Sequence, residues 1–281
     1  MKSIKYLVSA GFLVVAAIGL LTFPIGTSAT NSWGGYHWAR TSNPFTVKVV
    51  DSNTPDWDDN KARAISDWST SSVLDLINVA GDDTSNTRKR CPMVSGQIRS
   101  CNASYGFNGW LGLASINITG GVHITQGSSK MNDSYFNGGG YTETNRQHVM
   151  CQEIGHTLGL DHQSTSGADL NTCMDYASAL DNPSPNTHDY NQLVTIYGGH
   201  LDSTTTMGFA ASQSPFLSGM EDDPSNWGRL VSQSKNGRSS HYERENWNGT
   251  KTATHVFWTR EAAAVCRACD HRYDHRFFEL T

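Results

Sequence analysis

The residues best suited to chemistry lie in one short stretch, QEIGHTLGLDH, which runs from Gln152 to His162. A helix brings residues four positions apart onto one face, so Gln152 and His156 project together. Gly159 accepts backbone angles that other residues resist, which lets the chain leave the helix and return His162 towards His156. Two converging imidazoles with the carboxylate of Glu153 beside them are what zinc-dependent hydrolysis requires.

The spacing also predicts a role for each residue. We expect His156 and His162 to bind zinc and Glu153 to act as general base. The metal lowers the pKa of a bound water towards 7, and the carboxylate takes the proton and passes it to the leaving nitrogen. The alternative, a helix that carries histidines by chance, would have to explain the whole pattern at once.

A second motif follows downstream, where Met174 lies in the segment NTCMDY. With the first stretch, which matches HExxHxxGxxH except at Gln152, it resembles the metzincin zinc endopeptidases, a clan that places a methionine turn beneath the metal. The segments GLASI (residues 112–116) and HDYNQLVTIYG (residues 188–198) look most like the matrixin branch, especially its secreted bacterial relatives. The resemblance covers roughly residues 36–199.

This resemblance implies a fold as well as an activity. The expected fold class is α+β: a twisted, mostly parallel five-stranded sheet with an antiparallel edge strand, and three helices. The edge strand would be residues 111–118, and an extended substrate would pair with it in the active-site cleft. Met174 would be the turn methionine.

Gln152 departs from the motif, because the family has its first metal-binding histidine at that position. An amide oxygen is a weaker zinc donor than imidazole. Gln152 is still one candidate for the third ligand, through its side-chain oxygen. His148 is a poor substitute, since eight residues of unbroken helix would separate it from His156 by about 12 Å. We therefore expect His148 to be structural or exposed.

Tyr176 is the other candidate for completing the metal shell. It follows Met174 by two residues, where astacins and serralysins, which are also metzincins, carry a tyrosine that can reach zinc. We therefore predict an auxiliary ligand or an oxyanion hydrogen-bond donor at Tyr176. The alternative is a tyrosine that only fills the core near the turn.

The six cysteines suggest disulfides, although six cysteines allow 15 connectivities. Spacing gives three local pairs, of which we favour the first two: Cys91 with Cys101, Cys151 with Cys173, and Cys266 with Cys269. A bond from Cys151 to Cys173 would tie the motif helix to the residue before Met174 and contribute about 3 kcal/mol. The alternative is a free thiol at Cys151, which would be a soft metal ligand.

The chain divides into four predicted parts. Residues 1–29, with two lysines before an apolar run and small residues at 27–29, are typical of a removable secretion signal rather than a membrane anchor. Residues 30–200 form the metzincin-like domain. Residues 201–258 form a β-rich extension, with hairpin turns at Asn236-Gly237 and Asn248-Gly249. Residues 259–281 remain unassigned.

Local patterns place the elements of the domain. Alternating or apolar runs predict strands at residues 45–51, 73–81, 97–102, 110–119 and 122–126, and a polar loop at 127–141. Proline and tryptophan spacing predicts a helix from Pro55 to Trp68. A capping box of Thr144 and Gln147 would open the motif helix, and a closing helix would end at Gly198.

Several weaker signals remain. His123 lies where matrixins carry a histidine that helps to hold a structural zinc, but the partner residues of that site are not recognisable, so a plain strand histidine is favoured. Calcium is possible at Asp82, Asp83 or Asp133, although their spacing has no ordered pattern of oxygen ligands. The formal net charge of −5 and the lack of a basic run exclude nucleic acid as a partner.

The sequence therefore predicts a secreted zinc endopeptidase that hydrolyses extended protein or peptide substrates. We expect a monomer with no membrane association once the signal is removed. Gln152 motivates the alternative, a catalytically weak or inactive peptide-binding protein on the same fold. A serine or cysteine hydrolase is disfavoured, because no nucleophile lies in a recognisable elbow.

Overall fold

The computed structural model describes residues 31–164, 166–177, 179–202 and 222–273, and one mixed β-sheet organises them. The predicted signal, residues 1–29, lies outside the described residues. No helix of the described ranges is long and apolar enough to cross a membrane.

The described residues form nine strands and six α-helices. The strands are β1 (His37–Trp38), β2 (Phe45–Ser52), β3 (Leu74–Ala80), β4 (Gln97–Ala103), β5 (Trp110–Thr119), β6 (His123–Asn132), β7 (Arg229–Gln233), β8 (Ser239–Glu245) and β9 (Lys251–Trp258). The helices are α1 (Asp58–Trp68), α2 (Ser85–Arg90), α3 (Asp133–Phe136), α4 (Glu143–Thr157), α5 (Thr187–Tyr197) and α6 (Arg260–Val265).

The sheet order is β3-β2-β4-β6-β5-β9-β8-β7, with β1 paired to β6. β2, β3, β4 and β6 are parallel, and β5 runs antiparallel to β6. A mixed sheet combined with helices agrees with the predicted α+β class. Strands β7, β8 and β9 lengthen that sheet beyond the five strands expected.

The prediction of a loop at residues 127–141 was wrong in its first part, because β6 continues to Asn132. Gly127 and the serines after it read as loop residues, but they are buried between β4 and β5. A side chain at Gly127 would lie 3.3 Å from Thr157 of α4. Small residues are needed at this position because the motif helix packs closely on the sheet.

The N-cap of helix α4 lies two residues before the predicted cap, Thr144. Thr142 is the N-cap, and its hydroxyl accepts from the Asn145 backbone N–H while the Asn145 side chain accepts from the Thr142 N–H. Met150 and Ile154 of α4 lie in the main hydrophobic core. Trp68 of α1 fixes α4 further by donating its indole N–H to the Cys151 carbonyl at 3.0 Å.

Strands β7, β8 and β9 form a three-stranded antiparallel segment, with Gly237 and Gly249 in positive φ at its two turns. It is continuous with the main sheet, because β9 pairs antiparallel with β5 from Trp110 to Ile118. Phe257 of β9 belongs to the same hydrophobic core as α4.

The prediction that residues 111–118 form an edge strand was therefore wrong. β6 occupies one side of β5 and β9 occupies the other. The backbone donors and acceptors of β5 are used in these two ladders, so an extended substrate has no free edge to pair with there.

Three disulfides join cysteines that are close in sequence. Both favoured pairs, Cys91–Cys101 and Cys151–Cys173, are formed. The third pair, Cys266–Cys269, follows α6. The Cys151–Cys173 bond joins α4 to the segment before Met174, as expected from the spacing.

The shared core predicts that the C-terminal strands are needed for stability. Phe257→Ala should lower the free energy of unfolding by about 3–5 kcal/mol, because it empties a site that is 0% exposed. Urea denaturation measures this. Trp247→Ala, in the same extension but 79% exposed, is the control and should change stability by no more than about 0.5 kcal/mol. A loss below about 1 kcal/mol for Phe257→Ala would show that the extension is not part of the core.

Candidate metal centre

The two histidines of the motif converge at the end of α4. Gly159 adopts φ +87° after the helix, and the chain returns so that the ring centroids of His156 and His162 are 4.8 Å apart. The His156 Nδ1 atom lies 2.9 Å from the Leu160 carbonyl, and His162 Nδ1 lies 3.1 Å from the Asp175 carbonyl. A carbonyl accepts only, so each Nδ1 carries the proton and each Nε2 has a free lone pair.

A third histidine, His255, completes this cluster from strand β9. One ring nitrogen from each of the three histidines lies within 4.8 Å of those of the other two. The ring of His255 lies 3.7 Å from that of His156, centroid to centroid, and its Nε2 lies 3.1 Å from His162 Nε2. All three rings are almost fully buried.

Glu153 lies beside the cluster and contacts His255 directly. Its Oε2 atom is 3.1 Å from His255 Nδ1, while its Oε1 atom is buried without a hydrogen-bond partner among the described residues. Gly112 of β5 makes room for this carboxylate, since a Cβ atom there would lie 2.6 Å from Glu153 Oε1. Burial raises the pKa of Glu153 well above its usual value.

The side chain of Gln152 is buried and hydrogen-bonded rather than free to move. Its Nε2 donates to the Cys173 carbonyl at 2.9 Å, and the residue is 0% exposed. The Oε1 atom is buried, and no hydrogen-bond partner for it is found within the described ranges. The bond to Cys173, next to the Cys151–Cys173 disulfide, gives Gln152 a role in fixing the methionine segment.

Tyr176 contacts the histidine cluster, and Met174 packs against helix α4. The Tyr176 ring stacks on His162 with centroids 3.9 Å apart and an interplanar angle of 23°. Burial raises the pKa of Tyr176, so its hydroxyl keeps its proton and is a hydrogen-bond donor. Met174 is fully buried, and a Cβ atom at Gly155 of α4 would lie 2.7 Å from its sulfur.

His148 has a structural role, which was one of the two predicted alternatives, rather than an exposed position. Its ring is 0% exposed, its Nδ1 donates to the Asn182 carbonyl at 2.9 Å, and it stacks on Phe257. Burial lowers its pKa to about 4.

The three clustered histidines fit a zinc ion in their protonation as well as in their spacing. Burial lowers the pKa of His255 to about 3 and those of His156 and His162 well below 6.5. The rings are therefore neutral, which is the form that binds metal. The buried Nε2 atom of His156 has no hydrogen-bond partner in the described part of the chain, and an unpaired acceptor in the interior is costly unless a cation meets it.

Trp33 covers the cluster on the side of the N-terminal segment. Its ring centroid lies 5.6 Å from that of His156 and 4.8 Å from that of His241. The segment is held by two backbone bonds across the motif loop, from Trp33 N–H to the Gly159 carbonyl at 2.8 Å and from Asp161 N–H to the Asn31 carbonyl at 2.6 Å.

Sequence reasoning missed His255 altogether. The segment THVFW was read as a plain strand of the extension. A histidine directly before the apolar residues Val256, Phe257 and Trp258 was the available signal. Its partners lie far away in sequence, and nothing in a single sequence pairs β9 with β5.

The structure gives no support for calcium binding at the acidic residues that were predicted as possible ligands. Asp133 accepts hydrogen bonds from the Trp57 indole at 2.9 Å and from Asn102 at 2.6 Å. Asp82 accepts from the backbone and hydroxyl of Thr84 near the start of α2. These oxygens already have partners within the protein.

Acid should destabilise the metal-free protein through His148. Between pH 6.5 and about 4, His148 binds a proton in the unfolded chain but stays neutral in the folded protein, where its ring is buried. The free energy of unfolding therefore falls as the pH drops through 6.5, by about 2 kcal/mol from roughly pH 7.5 to pH 5 for this residue. In His148→Asn, whose amide can still donate to Asn182, urea denaturation at the two pH values should show that much less pH dependence.

His188→Asn is the matched control, because His188 lies on the exposed side of α5. It should leave the pH dependence of stability as it is. An unchanged pH profile in His148→Asn would mean that this buried ring does not control the acid sensitivity.

Zinc affinity should depend on His255 more than on Gln152. Removing one of three nitrogen donors should weaken binding by about a hundredfold or more, since even a lost partner of a ligand costs about 10–100-fold. His255→Asn tests this by competition with a chelator of known affinity. His241→Asn is the control, because His241 pairs directly with His255 in the sheet but is outside the cluster. Unchanged zinc affinity in His255→Asn would exclude it as a ligand.

Comparison with known proteins does not assign the chain to a family. No family model matches the sequence, and no curated protein matches it. Solved structures give distant likenesses. Two of them are structures of myroilysin. One has 13% sequence identity, covers 58% of this chain and 83% of that chain, and has a TM-score of 0.34. The other has 15% sequence identity, covers 62% of this chain and 88% of that chain, and has a TM-score of 0.33. Another is high choriolytic enzyme 1, a hatching-enzyme zinc-protease from the medaka Oryzias latipes. It has 12% sequence identity, covers 58% of this chain and 95% of that chain, and has a TM-score of 0.34. Likeness at this level establishes neither a shared family nor a shared activity, so the resemblance to the metzincins stays a prediction.

Proposed function

We propose that the protein is a secreted zinc-dependent endopeptidase whose metal is held by His156, His162 and His255. The observation that carries the proposal is the buried cluster of three imidazoles, each with its Nδ1 bonded to an acceptor and with Glu153 beside them. Three nitrogen ligands with a carboxylate nearby are typical of catalytic zinc sites. His255 thus takes the place that the motif assigns to Gln152.

Hydrogen bonding leaves one nitrogen of the cluster without a partner. The Ser239 hydroxyl lies 2.6 Å from His255 Nε2 and 3.4 Å from His162 Nε2, and these two ring nitrogens are 3.1 Å apart, so hydrogen bonds can satisfy both. His156 Nε2 is buried and has no hydrogen-bond partner among the described residues. A cation bound by the three rings would occupy its lone pair.

Glu153 is the proposed general base. Its Oε2 orients His255, which is the way that carboxylates commonly fix a metal-binding histidine. Its Oε1 has no hydrogen-bond partner among the described residues and is the atom that would hold the transferred proton. When bound, zinc supplies a Lewis acid that lowers the pKa of a water molecule towards 7. The positive charge also favours the ionised form of Glu153 despite its burial.

Tyr176 is proposed as a hydrogen-bond donor to the oxygen of the scissile carbonyl. Its raised pKa keeps the phenol protonated, which favours donation over ligation as a phenolate. Gln152 is proposed as a positioning residue through its bond to the Cys173 carbonyl. Neither residue is needed as a third ligand when His255 fills that role.

Substrate access in this proposal is through the cover formed by Trp33. The three histidines are between 1% and 6% exposed, so part of the surrounding chain must move before a peptide can reach them. β9 carries a ligand and is paired along β5, so it stays in place. The segment at Asn31 and Trp33 can open without removing a ligand. The choice of peptide bonds as substrate rests on the resemblance of the motif.

A second candidate function comes from Ser239, His255 and Glu153. Their contacts of 2.6 Å and 3.1 Å form a hydroxyl–imidazole–carboxylate relay like that of serine hydrolases. Ser239 is only 2% exposed and begins β8, where it lacks the exposed turn that presents such nucleophiles. This arrangement is therefore the weaker candidate.

Glu153→Gln should abolish most of the activity while leaving zinc bound. The amide oxygen can still accept from His255, but the amide cannot take up a proton, so kcat/KM should fall by about 10²–10⁴-fold. Hydrolysis of an unfolded protein substrate measures the activity, and elemental analysis measures the zinc. A chelator should abolish the wild-type activity and added zinc should restore it.

Ser239→Ala separates the two candidate functions. The zinc enzyme should keep chelator-sensitive activity in this variant. Activity that survives both the chelator and Glu153→Gln would refute the zinc endopeptidase. Activity that is lost in Ser239→Ala and insensitive to the chelator would instead identify the relay. Bound zinc without any hydrolysis would favour the peptide-binding alternative.

A further inference from the structure

A second group of metal-binding side chains lies outside the proposed active site. His37 comes from β1, His123 is the first residue of β6, and Asp202 follows α5. His200 lies beside them, with its Nε2 3.3 Å from His37 Nε2. No residue of this group belongs to the cluster of His156, so it needs an explanation of its own.

The distances within the group match those between ligands of one zinc ion. Tetrahedral zinc with bonds of 2.0–2.1 Å holds neighbouring donor atoms about 3.3–3.4 Å apart. From Asp202 Oδ1 the distances to the Nε2 atoms are 3.0 Å for His123, 3.7 Å for His200 and 3.9 Å for His37. The same carboxylate oxygen and the same ring atom of each histidine face the shared point.

The surrounding contacts leave those atoms free to bind metal. His37 Nδ1 lies 2.8 Å from the Gly35 carbonyl, so Nδ1 donates and Nε2 keeps its lone pair. Asp202 uses Oδ2 for the backbone and guanidinium of Arg40, at 3.2 Å and 3.3 Å. Oδ1 is left to face the three histidines. Partners of this kind orient the ligands of metal sites.

The facing nitrogens of His37 and His200 are spaced as two ligands of one ion would be. His37 Nε2 and His200 Nε2 are 3.3 Å apart, which is the separation of neighbouring donors around tetrahedral zinc. The expectation of a plain strand histidine at His123 does not account for the other three donors. Three imidazole nitrogens and one carboxylate oxygen are a donor set that suits zinc.

We propose that His37, His123, His200 and Asp202 bind a second, structural zinc ion. Four protein ligands fill a tetrahedral shell and leave no open position for catalysis. The ion joins the N-terminal segment, the start of β6 and the chain after α5, which are remote in sequence. It thereby fixes β1 four residues after Trp33, the residue that covers the other cluster.

Zinc stoichiometry tests the proposal on the whole chain. The wild-type protein, stripped of metal and then titrated with zinc in the presence of a weak competing chelator, should bind two ions. His123→Asn/His200→Asn should bind one and lose part of the zinc-dependent rise in Tm. His200→Asn alone should weaken the binding of the second ion by about a hundredfold. The side chain of His200 is 51% exposed, so this substitution should not disturb folding.

Matched variants keep this result separate from the proposed function. His188→Asn removes an exposed histidine of α5 and should still bind two ions. His255→Asn should lose the first ion and keep the second. Two tightly bound ions in His123→Asn/His200→Asn would overturn the proposal. So would a single ion in the wild type that disappears in His255→Asn. Neither outcome depends on peptide hydrolysis.

Discussion

The pairing of β9 with β5 is the constraint on which the rest of the structure depends. It places Phe257 in the core and His255 against the motif helix in the same step. It also occupies the side of β5 that would otherwise be an open edge. One ladder of backbone hydrogen bonds therefore determines both which side chains form the histidine cluster and which side of β5 is closed to further strand pairing.

The interior position of the cluster sets its chemistry. Buried imidazoles stay neutral, because a charged ring would lose its hydration without gaining an equal partner. Fixed Nδ1 contacts then select the tautomer in which Nε2 is free. His156 Nε2 is left without a hydrogen-bond partner among the described residues, and an unpaired acceptor in a water-poor site is costly. The hydrogen bonding of the cluster therefore suits a bound cation.

Gln152 illustrates how a motif residue can change its task. In the motif this position supplies a metal ligand, but here the amide bonds the Cys173 carbonyl. Together with the Cys151–Cys173 disulfide it fastens α4 to the segment of Met174. In the proposed site, His255 of β9 supplies the donor that Gln152 of α4 does not.

Local physics made the motif region predictable from sequence. The helical period brings His156 onto a known face, and only glycine readily takes the positive φ found at Gly159. The strands of the first half follow from their β-branched runs. The cap at Thr142 was missed because Thr144 and Gln147 offered a competing capping pattern two residues later. The end of β6 was missed because its small residues serve close packing rather than a loop.

Long-range pairing could not be predicted in the same way. β9 is buried on both faces, so alternation does not reveal which residues point to α4. His37, His123 and His200 likewise come together through tertiary contacts that no spacing rule anticipates.

The late position of His255 has a consequence for synthesis. It follows His162 by 93 residues, so a chain emerging from the ribosome carries the complete HTLGLDH segment long before it carries the third imidazole. Until β9 has been made and has added to the sheet, the nascent chain lacks a finished cluster. The three-histidine cluster can therefore be completed only after the C-terminal strands have been synthesised.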